Sequence, residues 1–207
     1  MDLIIRPATA GDTKALAAVL ARAFATDPLY TWVFPDERGR QERLAMMFAA
    51  QLRATRLGRD QVDVAVAGGQ SVGCALWSPP GAVRPLARQQ LAILAMFPVV
   101  LRRRLATALS GFGTLSRARP AQAHWYLSTI AVDPSAQRMG VARGLLAPRL
   151  ARCDQMSAPA ALVTCKETNL AYYQGFGFAV TGDIALARGG PAHWSMWRPP
   201  HQYPAPG

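Results

Sequence analysis

Residues 130–146 read I-A-V-D-P-S-A-Q-R-M-G-V-A-R-G-L-L, and the rest of the chain is organised around them. Ile130, Ala131 and Val132 end an apolar, β-branched run that reads as a strand. Asp133-Pro134 turns the chain, because Pro fixes its own φ and the residue before it avoids the helical region. Gln137, Gly140 and Ala142 then fall in the spacing Q-x-x-G-x-A. Gly140 permits a positive φ or a close approach of backbone, and Ala142 leaves the next turn uncrowded. The amides from Gln137 through Arg138, Met139, Gly140, Val141, Ala142 and Arg143 are placed to point outward at the start of a helix. The unpaired N–H groups and the dipole there favour an anion such as a pyrophosphate. Leu145, Leu146 and Leu150 give that helix a buried stripe. Pro148 lies inside it, where a kink or a lost hydrogen bond is expected. Alone, the spacing fits tight strand-to-helix packing better than a phosphate site.

Downstream the chain reads N-L-A-Y-Y-Q-G-F-G-F over residues 169–178. A strand ending V-D-P, then Q-x-x-G-x-A, then N-x-x-x-Y-x-x-x-G-F resembles the GNAT superfamily of N-acetyltransferases. The opening I-I-R-P-A-T-A-G-D resembles that family's first strand and helix start. The stretches A-F-A-T-D-P-L-Y-T-W-V-F-P-D and C-A-L-W-S-P-P-G are similar to the branch that includes puromycin N-acetyltransferase.

The resemblance implies an α/β (α+β) GNAT fold with a mixed, mostly antiparallel sheet of about six to seven strands flanked by helices. In it two adjacent parallel strands splay apart, here Ala123–Val132 and Ala160–Cys165. It implies acetyl-CoA as cosubstrate, no metal, and a small-molecule amine as acceptor, attacked directly in a ternary complex. The pantetheine arm would pair with the backbone of Ile130, Ala131 and Val132, one of whose amides would stabilise the oxyanion. Tyr173 matches the family's tyrosine and would protonate the leaving thiolate. Asn169 would bond the pantetheine or cap its own helix. Tyr172 reads as core packing.

The same branch carries L-E-T-S where this chain has L-V-T-C, so Val163 stands in place of a Glu. A general base must then come from elsewhere. His124, Glu167 and a water chain are candidates; His193 is another, although a lone His near a strand is ordinarily structural. Cys165 has no neighbouring His or basic motif that would make it a nucleophile.

Working outward, Leu3–Ile5 is a strand, and Thr9 with Asp12 forms a variant capping box for a helix carrying Leu16, Val19, Leu20 and Phe24. That helix stops near Asp27-Pro28. Residues 29–35 are expected to form an aromatic loop, with Tyr30 and Trp32 together with Asp27 as acceptor-site residues; core plugging by the rings is the competing reading. A second helix is expected over about 37–57, and a hairpin over 62–77 around Gly68-Gly69. Leu91–Leu101 is apolar apart from Pro98 and precedes Arg102-Arg103-Arg104. A pair of amphipathic helices covering the sheet is preferred to a peripheral membrane contact. By resemblance this insertion, about 84–118, walls the acceptor site and sets substrate choice. Two closing strands, Phe178–Leu186 and His193–Arg198, follow.

The expected organisation is one domain over 1–198 and a Pro-rich tail over 199–207. A chain of 207 residues can bury one sizeable core. The net charge is +11 and the cations are nearly all Arg, which fits coding bias better than function. The arginines lack the interleaved aromatics of a single-strand-binding surface, which argues against nucleic acid. No run of about 18 apolar residues occurs, which argues against a membrane span. Three cysteines without metal spacing and an N-terminus unlike a signal peptide suggest a cytoplasmic protein, monomeric or a homodimer. A non-catalytic acyl-CoA-binding module and a protein-amine acetyltransferase are the alternatives.

Overall fold

The computed structural model describes residues 2–55, 61–81 and 105–201. The apolar run before Arg102, the end of the second helix as expected from sequence, and most of the Pro-rich tail lie outside the described residues.

Seven strands form one sheet in the order β1-β2-β3-β4-β5-β7-β6. They are β1 (Leu3–Pro7), β2 (Val62–Ala67), β3 (Gln70–Ser78), β4 (Trp125–Val132), β5 (Ala160–Thr164), β6 (Ala179–Ile184) and β7 (His193–Arg198). Neighbours are antiparallel except β4 and β5, which are parallel and joined through a helix. This is the expected GNAT-type sheet. The helices are α1 (Thr13–Phe24), α2 (Pro28–Val33), α3 (Arg40–Ala54), α4 (Leu105–Arg117), α5 (Val141–Gln155) and α6 (Leu170–Gln174).

Strand alternation gives the sheet two apolar faces. Val64, Cys74, Leu76 and Ala131 meet α1, α2 and α3 in one core. Ala65, Trp77, Leu127 and Leu162 meet α5 and Tyr173 of α6 in the other. Gly73 of β3 makes the second face close-fitting, since a Cβ there would lie 2.9 Å from both the Ala131 carbonyl and Val141. The Asp12 carboxylate accepts from the Thr9 amide at 2.7 Å, as the capping-box reading expects, and closes a single 3-10 turn before α1.

One expectation fails near the site. Residues 28–33 are helical, not an aromatic loop. Asp27 is the reason: its carboxylate accepts from the Leu29 amide at 3.0 Å, and Pro28 occupies the first helical position, where its missing N–H costs nothing. α5 runs unbroken through Pro148, whose absent N–H leaves the Gly144 carbonyl without its helical donor.

Candidate functional site

β4 and β5 pair only at Trp125–Ala160, Tyr126–Ala161 and Leu127–Leu162, although β4 runs on to Val132. The separation begins at a β-bulge: Leu76 pairs with Thr129 and Trp77 with Leu127, leaving Ser128 as the extra residue. The Ser128 hydroxyl donates to the Leu76 carbonyl at 3.0 Å and holds the bulge. Beyond it, among the described residues, β4 has β3 on one edge and no strand on the other.

The Asp133 amide donates to the Val72 carbonyl at 2.8 Å. Because backbone groups alternate between edges, Ala131 also faces β3, while Ile130 and Val132 face the gap. Of the three expected pantetheine contacts, Ala131 is therefore already paired within the sheet. Ile130 and Val132 hold the free groups.

The loop after β4 is anchored at its start. Asp133 accepts from the Ser135 amide at 3.1 Å, from the Ser135 hydroxyl at 2.7 Å, and from Arg22 Nε of α1 at 2.7 Å. Burial alone would raise this carboxyl, but the Ser135 and Arg22 hydrogen bonds hold it below the usual range. Arg138 and Gly140 have positive φ values of 63° and 78°. Only the second suits its residue type, so the loop stores strain at Arg138. Gln137, Arg138, Met139, Gly140 and Arg143 are exposed, with Val141 buried beneath them and Ala142 half-buried. Among the described residues, no protein acceptor meets the amides of residues 138–143. This outward-facing row of donors, flanked by two arginines, fits a pyrophosphate.

The gap opens into a cavity of about 290 Å³. Its lining draws on both cores: Phe24, Tyr30 and Met47 from one, Leu127, Leu162 and Tyr173 from the other. The cavity thus passes through the sheet where β4 and β5 part. Ile130 and Asn169 also line it. Asn169 makes no capping bond with its side chain, which excludes the capping alternative in this structure.

Tyr173 is 7% exposed and on the cavity wall, and burial, helped by Tyr172 and Cys165, raises its phenol well above the ordinary value. It is a protonated group with a proton to give. Tyr172, expected in the core, is 41% exposed, as a one-residue step around a helix requires.

At the α2 end of the cavity Asp27 is 5% exposed. Beside its capping bond it accepts from the Cys165 thiol at 3.4 Å and lies 3.8 Å from Lys166 Nζ. Burial, then Asp27, pushes the Cys165 thiol up to about 12, so it is inert as a nucleophile. Tyr30 lines the cavity and packs on Phe24 and Phe48, with ring centroids 5.1 and 5.5 Å away. Trp32 does not reach the cavity. Two residues on from Tyr30 along a helix, it faces the other way, donates Nε1–H to the Arg188 carbonyl at 3.2 Å and packs against Gly111 and Gly190.

Of the candidate bases, His124 and Glu167 are not on the cavity wall, whereas His193 is; Val163 lines the wall too but has no basic group. Sequence reasoning passed over Arg119, Tyr126, Gln51 and Ser128, which also line it. The Arg119 guanidinium lies 3.8 Å from the Tyr126 ring centroid. Only the alternation of β4 could have signalled Tyr126; nothing in the sequence signals Arg119. Among the described residues, no helix is long and apolar enough to cross a membrane, and no group of three His, Cys, Asp or Glu side chains is placed to hold a metal ion.

A parallel pair splayed by a bulge, with a donor-rich loop and helix at its mouth, defines an acyl-CoA-type transferase fold. The family profile described as "Acetyltransferase (GNAT) domain" matches residues 87–196, more than half of the chain, and the chain belongs to that family. A solved structure from Corynebacterium glutamicum, described as histone acetyltransferase HPA2 and related acetyltransferase, is 26% identical over all of both chains, with a TM-score of 0.73. The ribosomal-protein-S18-alanine N-acetyltransferase of Escherichia coli is 14% identical, covering 99% of this chain and 97% of that one, at 0.56. The PaiA N-acetyltransferase of Thermoplasma acidophilum, solved in complex with coenzyme A, is 10% identical, covering 96% and 99%, also at 0.56. These two likenesses speak to the fold alone.

Proposed function

We propose that this acetyltransferase moves the acetyl group of acetyl-CoA to a primary amine of a small molecule, by direct attack with both substrates bound. The observation that carries the reading is the cavity through the β4–β5 gap, with Tyr173 on its wall and Asp27 buried at its α2 end. The pyrophosphate binds the amides from Gln137 to Arg143, and the pantetheine pairs with Ile130 and Val132 in the gap. Asn169 bonds the same arm. Asp27 attracts the acceptor's ammonium group and Tyr30 packs on its body. The acceptor nitrogen attacks the thioester carbonyl, the C–S bond breaks, and Tyr173 protonates the sulfur. The chain acts as one domain over 1–198, and the branch similarity points to an amino nucleoside or an amine-bearing antibiotic as acceptor.

A protein amine is the second reading, favoured by the description of the C. glutamicum structure. An acceptor end walled by buried side chains favours a small molecule. Thiol release from acetyl-CoA, measured with puromycin, aminoglycosides, polyamines and histone-tail peptides, decides between them. Release with a small amine and none with the peptides is expected. Release with peptides only would install the second reading. Measurable acetyl-CoA binding with no release for any amine would leave a binding module.

A further inference from the structure

β5 reads A-A-L-V-T over Ala160–Thr164 and offers the attacking amine no carboxylate base. β7 runs antiparallel to β5, with Thr164 paired to Trp194, so the next step along the ladder sets His193 beside Cys165 at the Asp27 end of the cavity. His193 is 2% exposed. Its Nδ1 lies 2.9 Å from the Pro191 carbonyl. A carbonyl can only accept, so Nδ1 carries the hydrogen, and in the neutral ring Nε2 carries the lone pair. Nε2 is buried and, among the described residues, meets no hydrogen-bond partner. An unsatisfied buried acceptor is costly unless something fills its valence.

The geometry points to His193 as the general base that takes the proton from the acceptor's ammonium group through Nε2. This rests on the small-amine reading above. The ammonium gives one proton to Nε2 and the freed lone pair forms the C–N bond. The C–S bond breaks with its pair on sulfur, Tyr173 protonates that thiolate, and the second proton shed by the new amide nitrogen restores the phenol. The imidazolium passes its proton to solvent as product leaves. Asp27 favours the imidazolium, while burial is the larger influence and keeps the ring neutral at rest. The other titratable groups lining the cavity or beside it are Tyr30 from α2, Tyr126 from β4, Cys165 and Lys166 after β5, Tyr173 from α6, and Arg119. All three tyrosines and the thiol are held protonated by burial and cannot serve. Asp27 is engaged by the Leu29 amide, Cys165 and Lys166.

The test is the pH profile of kcat/KM for the best small amine, in wild type and His193→Gln. In wild type, activity rises with pH through a lower limb below the ordinary histidine range, where the ring loses its proton. In the variant kcat/KM at neutral pH falls about 10²–10⁴-fold, that limb disappears, and the KM for acetyl-CoA is unchanged. A loss that is equal at all pH values, with the limb retained, overturns the base role. Wild type that binds acetyl-CoA yet releases no CoA with any amine overturns the small-amine reading and this one with it. Should His193→Gln not fold, ¹⁵N NMR of the imidazoles of wild type decides. The Nδ1–H tautomer of His193 at neutral pH is expected, and an Nε2–H tautomer contradicts the assignment.

Discussion

The two ends of the site are built from different materials. The proposed donor end, from Ile130 to Arg143, offers main-chain groups: the free edge of β4, and amides of an exposed loop whose shape depends on Gly140 and on Asp133 tied to Arg22. The proposed acceptor end offers side chains from four separate parts of the chain: buried Asp27, Tyr173 and His193, and half-buried Cys165. Backbone donors recognise an invariant ligand and tolerate changes of side chain. Buried titratable side chains are specific, costly to bury, and sensitive to any change of charge.

Variants on each side can break or sharpen this contrast. The largest effect is expected at Tyr173→Phe, where kcat falls at least about 10²-fold while acetyl-CoA binding by calorimetry is unchanged. Loss of acetyl-CoA binding instead would place Tyr173 in the donor end. Next, Asp27→Asn should raise the acceptor KM about tenfold, leave the acetyl-CoA KM in place, and change stability little, since Asn caps α2 about as well as Asp. Steady-state kinetics and a melting curve check the two expectations separately. Gly140→Val should do the converse. A side chain at φ +78° costs about 1–2 kcal/mol, so the acetyl-CoA KM rises by up to about tenfold with little change in the acceptor KM. Equal changes in both constants for either variant would dissolve the distinction.

The smallest effect is a pH dependence of stability. Asp133 is held below its usual range in the folded state, so its contribution is present above the unfolded value of about 4 and is lost as pH falls through the folded one. Arg22→Met should flatten that acid-side loss by no more than about 1 kcal/mol, because Arg22 is partly solvent-screened. Urea unfolding between neutral pH and pH 3 checks it.

The same contrast explains what was legible in the sequence. The donor end is local: strand, turn, loop and helix follow one another within residues 130–146, and glycine spacing with hydrophobic periodicity encodes them directly. The strands and α1 were legible for the same reason, while the parallel pair came from the family resemblance. The acceptor end is not local. His193 becomes prominent only when β7 is laid antiparallel to β5, and Trp32 is set aside only when residues 28–33 are seen to be helical. That helix was concealed by its aromatic content; the signal for it was Asp27-Pro28, read as the end of α1 when it is also the cap and first residue of α2. That Ala131 turns towards β3 was not legible, because edge alternation depends on one hydrogen bond, Asp133 to Val72, that no periodicity reveals.

The central claim is that the donor is held by main chain in the β4–β5 gap. Amide NMR of the full chain titrated with coenzyme A tests it most directly. The account predicts that the largest shifts fall on Ile130, Val132 and residues 138–143, with Ala131 shifted less than its two neighbours. Shifts concentrated away from β4 and its loop, or largest at Ala131, would contradict it.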